Sequence, residues 1–185
     1  APVWAQPSPP AADVADAPDQ PSWSPEESLA LARQRFQSGV ALYDARQYQP
    51  ALIEFRASLA LYASPNTHLY VARCQRALGH DVEALAHFER AVALAEERVA
   101  NDPRYRETRE AARVELGQIA RQIGRLRLRA EGLPPRARVH VGDREIPPAG
   151  LGLLVPVDPG EIVVRASAPG FRESRQVLRI APGDE

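Results

Sequence analysis

Residues 51–61 read ALIEFRASLAL, and residues 84–94 read ALAHFERAVAL. Shifted by thirty-three, Ala51 falls on Ala84, Leu52 on Leu85 and Phe55 on Phe88. Ser58 then falls on Ala91, Leu59 on Val92 and Leu61 on Leu94, while Gly39, upstream, falls on Ala72. The shared pattern is a small residue, an aromatic four later and a small residue three after that. On a helix these lie along one stripe, because residues three or four apart are surface neighbours. Such a stripe lets two helices approach closely with the ring locked between them. Each copy is preceded by another helical stretch that ends at a turn, Arg46-Gln47-Tyr48 and then Gly79-His80-Asp81. The unit is helix, tight turn, helix, and a period near 34 residues marks a helical repeat array.

These residues resemble the tetratricopeptide repeat, which has Gly or Ala in its first helix, Ala, Phe and Ala in its second, and Pro near its end. The chain offers Gly39, Ala51, Phe55, Ser58 and Pro65, then Ala72, Ala84, Phe88 and Ala91. It departs from the pattern where an early Trp is expected, at Arg35 and His68, and where Leu42 is matched by Gln75.

Working outward, Ser24-Pro25-Glu26-Glu27 reads as a capping box with Pro at the first helical position. The first helix should run to about Ala45. Gln49-Pro50 and Ser64-Pro65 open the second and third, Gly79 closes the third in a left-handed conformation, and Asp81 caps the fourth, which ends near Ala100. Asp102-Pro103 is expected to cap a fifth. Tyr105, Thr108, Ala112, Leu116, Ile119 and Ile123 form its inward stripe, and its polar outer face suits a helix that ends an array.

At Gly124 the period changes from 3.6 to 2. Arg125 to Ala130 alternates strictly, which puts Leu and Ala inward and three Arg outward. Val139-His140-Val141 turns at Gly142-Asp143, a favoured hairpin pair. Leu153–Val157, Ile162–Ala166 and Phe171–Ile180 are further strands, divided by Asp158-Pro159-Gly160 and Pro169-Gly170. About five short strands make a small antiparallel sandwich. The run from Val139 to Gly183 resembles a PEGA domain, a small β-module of bacterial surface and envelope proteins. The matching residues are Val141-Gly142-Asp143, Pro147-Pro148, Asp158-Pro159-Gly160-Glu161 and Ala168-Pro169-Gly170-Phe171, with Phe171 where that family has Tyr.

The expected fold is therefore α+β: a tetratricopeptide-like array of about five helices over residues 24–123, then a small antiparallel β-sandwich over 124–185. The β-part is small enough to lean on the fifth helix. Residues 1–23 carry six Pro and three Asp as their only charges, and read as a tail or linker in which Trp23 staples the first helix. Val3-Trp4-Ala5 resembles the end of a signal peptide, so a periplasmic or otherwise extracytoplasmic home is expected.

With a net charge of −1, the chain has no overall bias toward nucleic acid or an anionic membrane. No run approaches the roughly 18 apolar residues that span a bilayer. One cysteine, Cys74, excludes an internal disulfide and reads as a buried structural thiol.

Residues with the spacing of a catalytic or metal site are not found. His68, His80, His87 and His140 do not combine with Cys or carboxylates at ligand spacing, and no phosphate loop or nucleophile motif occurs. No enzyme activity and no cofactor are expected. In the family resembled, the first helix of each repeat lines a concave groove. Those positions carry Arg33, Phe36, Val40, Tyr43 and Asp44, then Asn66, Leu69, Arg73, Arg76 and Ala77. Rings beside guanidinium groups suit an extended peptide with carboxylates. The same stripes would also serve as packing surface for the tail or a neighbouring helix. A second basic set, Arg125, Arg127, Arg129, Arg136 and Arg138, is either a dock for an anionic polymer or a solvated strand face.

The expected function is that of a non-enzymatic adaptor or scaffold of the bacterial cell envelope, with a protein or peptide partner bound in the helical groove. The alternative is an envelope ligand-binding protein whose β-module holds a glycan or an anionic cell-wall polymer.

Overall fold

The computed structural model describes residues 24–185. The readings made for residues 1–23, including the leader remnant at residues 1–5 and the staple at Trp23, lie outside the described residues.

Five helices come first: α1 (Pro25–Asp44), α2 (Tyr48–Leu61), α3 (Pro65–Ala77), α4 (Asp81–Val99) and α5 (Tyr105–Ile119). At the start of α1 the Ser24 hydroxyl accepts from the Glu27 N–H at 3.2 Å, and the Glu27 carboxylate accepts from the Ser24 N–H at 2.8 Å. The expected capping box is present.

Both small–aromatic–small stripes are buried. Ala51, Phe55, Ala72, Ala84, Phe88 and Ala91 are fully inaccessible, and Ser58 nearly so. Ser58 satisfies its hydroxyl by donating to the Ala32 carbonyl at 2.8 Å, which ties α2 to α1. A methyl group on Gly39 would sit 2.6 Å from the Phe55 ring, so the first helix pair closes only because that position has no side chain. In the second pair Ala72 takes this place and Phe88 packs in the same cluster.

Helices α3 and α5 lie side by side and run the same way. Asn66 meets Thr108, Arg73 meets Glu115 and Arg76 meets Gln118, each pair separated by 42 residues. The Phe36 ring meets Tyr70 edge-on at 5.5 Å, which joins α1 to α3. The first helices of successive pairs therefore form one layer, with α2 and α4 behind it.

Two helix starts differ from expectation. Asp81 is the first residue of α4 rather than its cap: His80 holds the cap position without a side-chain bond. The N–H of Val82 donates instead to Asp158 of the β-part, at 3.0 Å. Helix α5 begins at Tyr105, after a turn in which Asp102 accepts from the Arg104 N–H at 3.1 Å. At α3, Ser64 holds the cap position, but its side chain makes no capping bond.

The β-part has two antiparallel sheets. Strands β1 (Gly124–Arg127) and β4 (Leu154–Val157) form the smaller one. The larger runs in the order β3 (Arg144–Ile146), β2 (Arg138–Val141), β5 (Gly160–Ser167) and β6 (Ser174–Ile180). Val155, Val157 and Leu126 from the first face Val141, Ile146, Ile162 and Val164 from the second across a common core. The alternation after Gly124 is kept through Leu128, but Ala130, expected inward, is exposed beyond the end of β1. The last strand starts at Ser174 rather than Phe171, which lies 65% exposed in the preceding turn.

The β-part rests on the start of α4 and on the segment that leaves α5, not along α5 itself. Within the β-part, Gly124 of β1 lets the end of β6 come close, since a methyl there would stand 2.2 Å from the Ile180 side chain.

Candidate functional site

At one end of the layer of first helices lies an open groove of about 510 Å³. Helix α1 contributes Arg33 and Phe36, the start of α3 contributes Asn66, and Tyr105 closes the side toward α5. The ring of Phe36 is half-buried against Phe55, at 5.6 Å, and Tyr70, at 5.5 Å, and also lines the groove. Arg33 is exposed and has no ion pair among the described residues. Asn66 is joined to Thr108 of α5 by a short hydrogen bond, which fixes its amide at the groove wall.

The other expected groove residues have different surroundings. Val40 and Tyr43 are half-buried; Tyr43 packs edge-on against Tyr48 at 5.5 Å and Tyr70 at 5.3 Å, and burial raises its pKa. Leu69 is 5% exposed and belongs to the core shared with α4 and α5. Arg73 is engaged within the molecule. Its Nε donates to Glu115 at 2.9 Å and its guanidinium lies 5.4 Å from the Tyr70 ring centre. Burial works against the Arg73 charge, but Glu115 outweighs it and the guanidinium pKa is raised. Arg76 donates to Gln118 at 3.3 Å. The physical reason is α5: as the third member of the layer it covers the α3 face that would otherwise be groove. Asp44 and Ala77 are exposed at the helix ends.

Several groove residues could not be assigned from the sequence. Tyr62 and Ser64, from the linker between α2 and α3, line the same end as Tyr105. Tyr105 was expected to point into the core; it is half-buried and looks into the groove instead. Behind it lies Arg98, at the end of α4.

Elsewhere, His68 of α3 and His87 of α4 approach with their Nδ1 atoms 3.0 Å apart. Nothing in their spacing of 19 residues announces this pairing. No group of three or more His, Cys, Asp or Glu among the described residues has the geometry to hold a metal ion. Cys74 is fully buried and its thiol is pushed up to about 11, which leaves it protonated and unreactive.

A second cleft, of about 690 Å³, lies where the β-part meets α4. Three arginines there, Arg144, Arg165 and Arg175, face five carboxylates, so its field is mixed in sign. The five arginines of the second basic set are divided. Arg125 and Arg127 lie on β1, while Arg138 lies on β2 in the other sheet, and Arg136 occupies a left-handed turn position with φ 61°.

No helix among the described residues is long and apolar enough to cross a membrane. No family model, no curated protein and no solved structure matches this chain.

Proposed function

We propose that this chain is a non-enzymatic adaptor of the bacterial cell envelope that holds an extended segment of a protein partner in the groove along α1, α3 and α5. The observation that carries the reading is the open end of that groove. It combines a half-buried ring, Phe36, with an unpaired cation, Arg33, and an amide fixed in place, Asn66. An extended peptide needs this mixture: an apolar contact for affinity and fixed polar groups for its orientation. The tetratricopeptide and PEGA resemblances supply the adaptor and envelope parts of the reading, and the signal-peptide resemblance at residues 1–5 supplies the extracytoplasmic location.

The alternative is a β-part that holds an anionic polymer or a glycan. It draws support from the larger cleft beside α4. Its arginines are interleaved with carboxylates or split between two sheets, which favours the groove.

The test uses a groove variant that leaves internal contacts intact. Arg33→Glu reverses an exposed, unpaired charge, whereas Arg73 and Arg76 substitutions would break the bonds to α5. Partners captured from an envelope extract are compared for wild type, Arg33→Glu and Arg127→Glu, each with its fold confirmed by circular dichroism. The expected result is a partner reduced at least tenfold by Arg33→Glu and retained by Arg127→Glu. Retention by the first and loss by the second would move binding to the β-part.

A further inference from the structure

Arg98 lies in the last turn of α4 with its guanidinium close to two aromatic rings. The Tyr62 ring centre is 5.1 Å away and that of Tyr105 is 5.9 Å away. Nη2 donates to the Ala63 carbonyl at 2.8 Å. Nη1 is buried and has no hydrogen-bond partner. No carboxylate pairs with Arg98 among the described residues, and Asp102, close by in the chain, is held by Arg104 at 2.8 Å.

This arrangement is unusual in its balance. A guanidinium stays protonated at any accessible pH, so it cannot relieve burial by losing its charge. The two rings offset part of that cost through their electron-rich faces. They supply no acceptor for Nη1, and a buried donor without one is unfavourable. Arg73, by contrast, has its acid in Glu115. Arg98 has only a peptide carbonyl.

Both rings that flank Arg98 also line the groove, together with Ser64 and Asn66. We propose that Arg98 forms the floor of a carboxylate subsite at this end of the groove, which receives an acidic side chain of the bound peptide between Tyr62 and Tyr105. A carboxylate is planar and fits edge-on to the guanidinium in the slot between two rings, where a tetrahedral phosphate is thicker. Tyr62 is 39% exposed, so the slot opens by turning one side chain with a free path into solvent. Ser64, at the same end, offers a hydroxyl whose capping role at α3 is unused. The subsite rests on the groove reading above and adds to it the chemistry of the partner: an extended segment with an Asp or Glu placed to reach past the two tyrosines.

The experiment titrates the full chain with acetyl-Ala-Asp-Ala-amide, with its Asn twin and with inorganic phosphate. It follows the Arg98 Nε–Hε signal and the Tyr62 and Tyr105 ring signals by NMR. Saturable shifts from the Asp peptide, at least tenfold stronger than from the Asn twin, are expected, with the preference lost in Arg98→Gln. Equal response to the two peptides would overturn the subsite, as would a preference that survives Arg98→Gln. Tighter saturation by phosphate than by the Asp peptide would also overturn the carboxylate assignment. The Asp/Asn comparison is made on the wild-type protein, so it stands even where Arg98→Gln fails to fold. The two readings can fail separately. Partner loss in Arg33→Glu without an Asp preference leaves the groove and removes the subsite. An Asp preference with capture untouched by Arg33→Glu does the reverse.

Discussion

The imidazoles of His68 and His87 stand 5.2 Å apart between ring centres, tilted by 34°, with Nδ1 facing Nδ1 at 3.0 Å. Such a contact holds only while one nitrogen donates a proton and the other accepts. Burial pushes His68 down to about 4, with the His87 and Arg90 charges adding to it, and burial also lowers His87, helped by Arg56 on α2. A base depressed in the folded state contributes its full stability above the unfolded value near 6.5. That contribution is lost as pH falls toward 4, because the unfolded chain takes up protons that the folded chain refuses. The urea midpoint of the wild type should therefore fall more steeply between pH 7 and 4.5 than that of a His68→Gln, His87→Gln variant. The difference should amount to about 1 kcal/mol, since half-exposed groups are screened by solvent. Parallel curves would show that the pair carries no linkage. At this scale the small–aromatic–small residues were legible and the histidines were not. Ala84, Phe88 and Ala91 share one helix face, so spacing alone places them together; His68 and His87 meet only because α3 packs on α4 in one particular register.

Among the elements, the two interhelical turns repeat each other in detail. After α3, the N–H of His80 returns to the Gln75 carbonyl at 2.9 Å and that of Gly79 to Arg76 at 3.1 Å. After α1, the N–H of Gln47 returns to Leu42 at 2.9 Å and that of Arg46 to Tyr43 at 2.8 Å. Both are Schellman closures, and both need a left-handed residue: Gly79 at φ 80° and Arg46 at φ 58°. Glycine tolerates that conformation freely, whereas a residue with a Cβ costs about 1–2 kcal/mol there. Arg46→Gly should stabilise the protein by about 0.5 kcal/mol once the greater freedom of glycine in the unfolded chain is subtracted. Gly79→Ala should destabilise it by about 1 kcal/mol, with nothing within 4 Å of the new methyl to confuse the cause. Thermal midpoints that move the other way would rule out backbone strain as the controlling term. Gly79 could be read as a helix stop from its residue type. Arg46 could not, because there the shape of the turn overrides residue preference. The start of α4 departs from residue preference for a related reason: Asp81 has the chemistry of a cap, but the acceptor that reaches the helix comes from the distant Asp158.

For the molecule as a whole, sequence pattern fixes which face of a strand is buried but not which strand lies beside it. The alternation of Arg125–Leu128 is satisfied equally by any antiparallel neighbour. That β1 pairs with β4, apart from the other four strands, is a choice the alternation does not carry. The joint between the β-part and the helices is polar at its centre. Asp158, in the turn between β4 and β5, accepts from the Val82 N–H in the first turn of α4, whose unsatisfied N–H groups and positive dipole end favour a carboxylate. Asp81 stands close enough that burial and the Asp158 charge raise its pKa. One acid thus holds the joint while it repels another. Asp158→Ala removes the cap and should cost about 1 kcal/mol. Asp158→Asn keeps a carbonyl oxygen for Val82 and relieves Asp81, so it should lie much nearer the wild type. Hydrogen exchange separates a local loss from a loosened joint. In Asp158→Ala, faster exchange is expected in the first turn of α4 and around Pro159, with α1 and α2 unchanged. Faster exchange spread evenly through all five helices would mean that the helical array and the β-part unfold as one unit, and that Asp158 contributes only to its total.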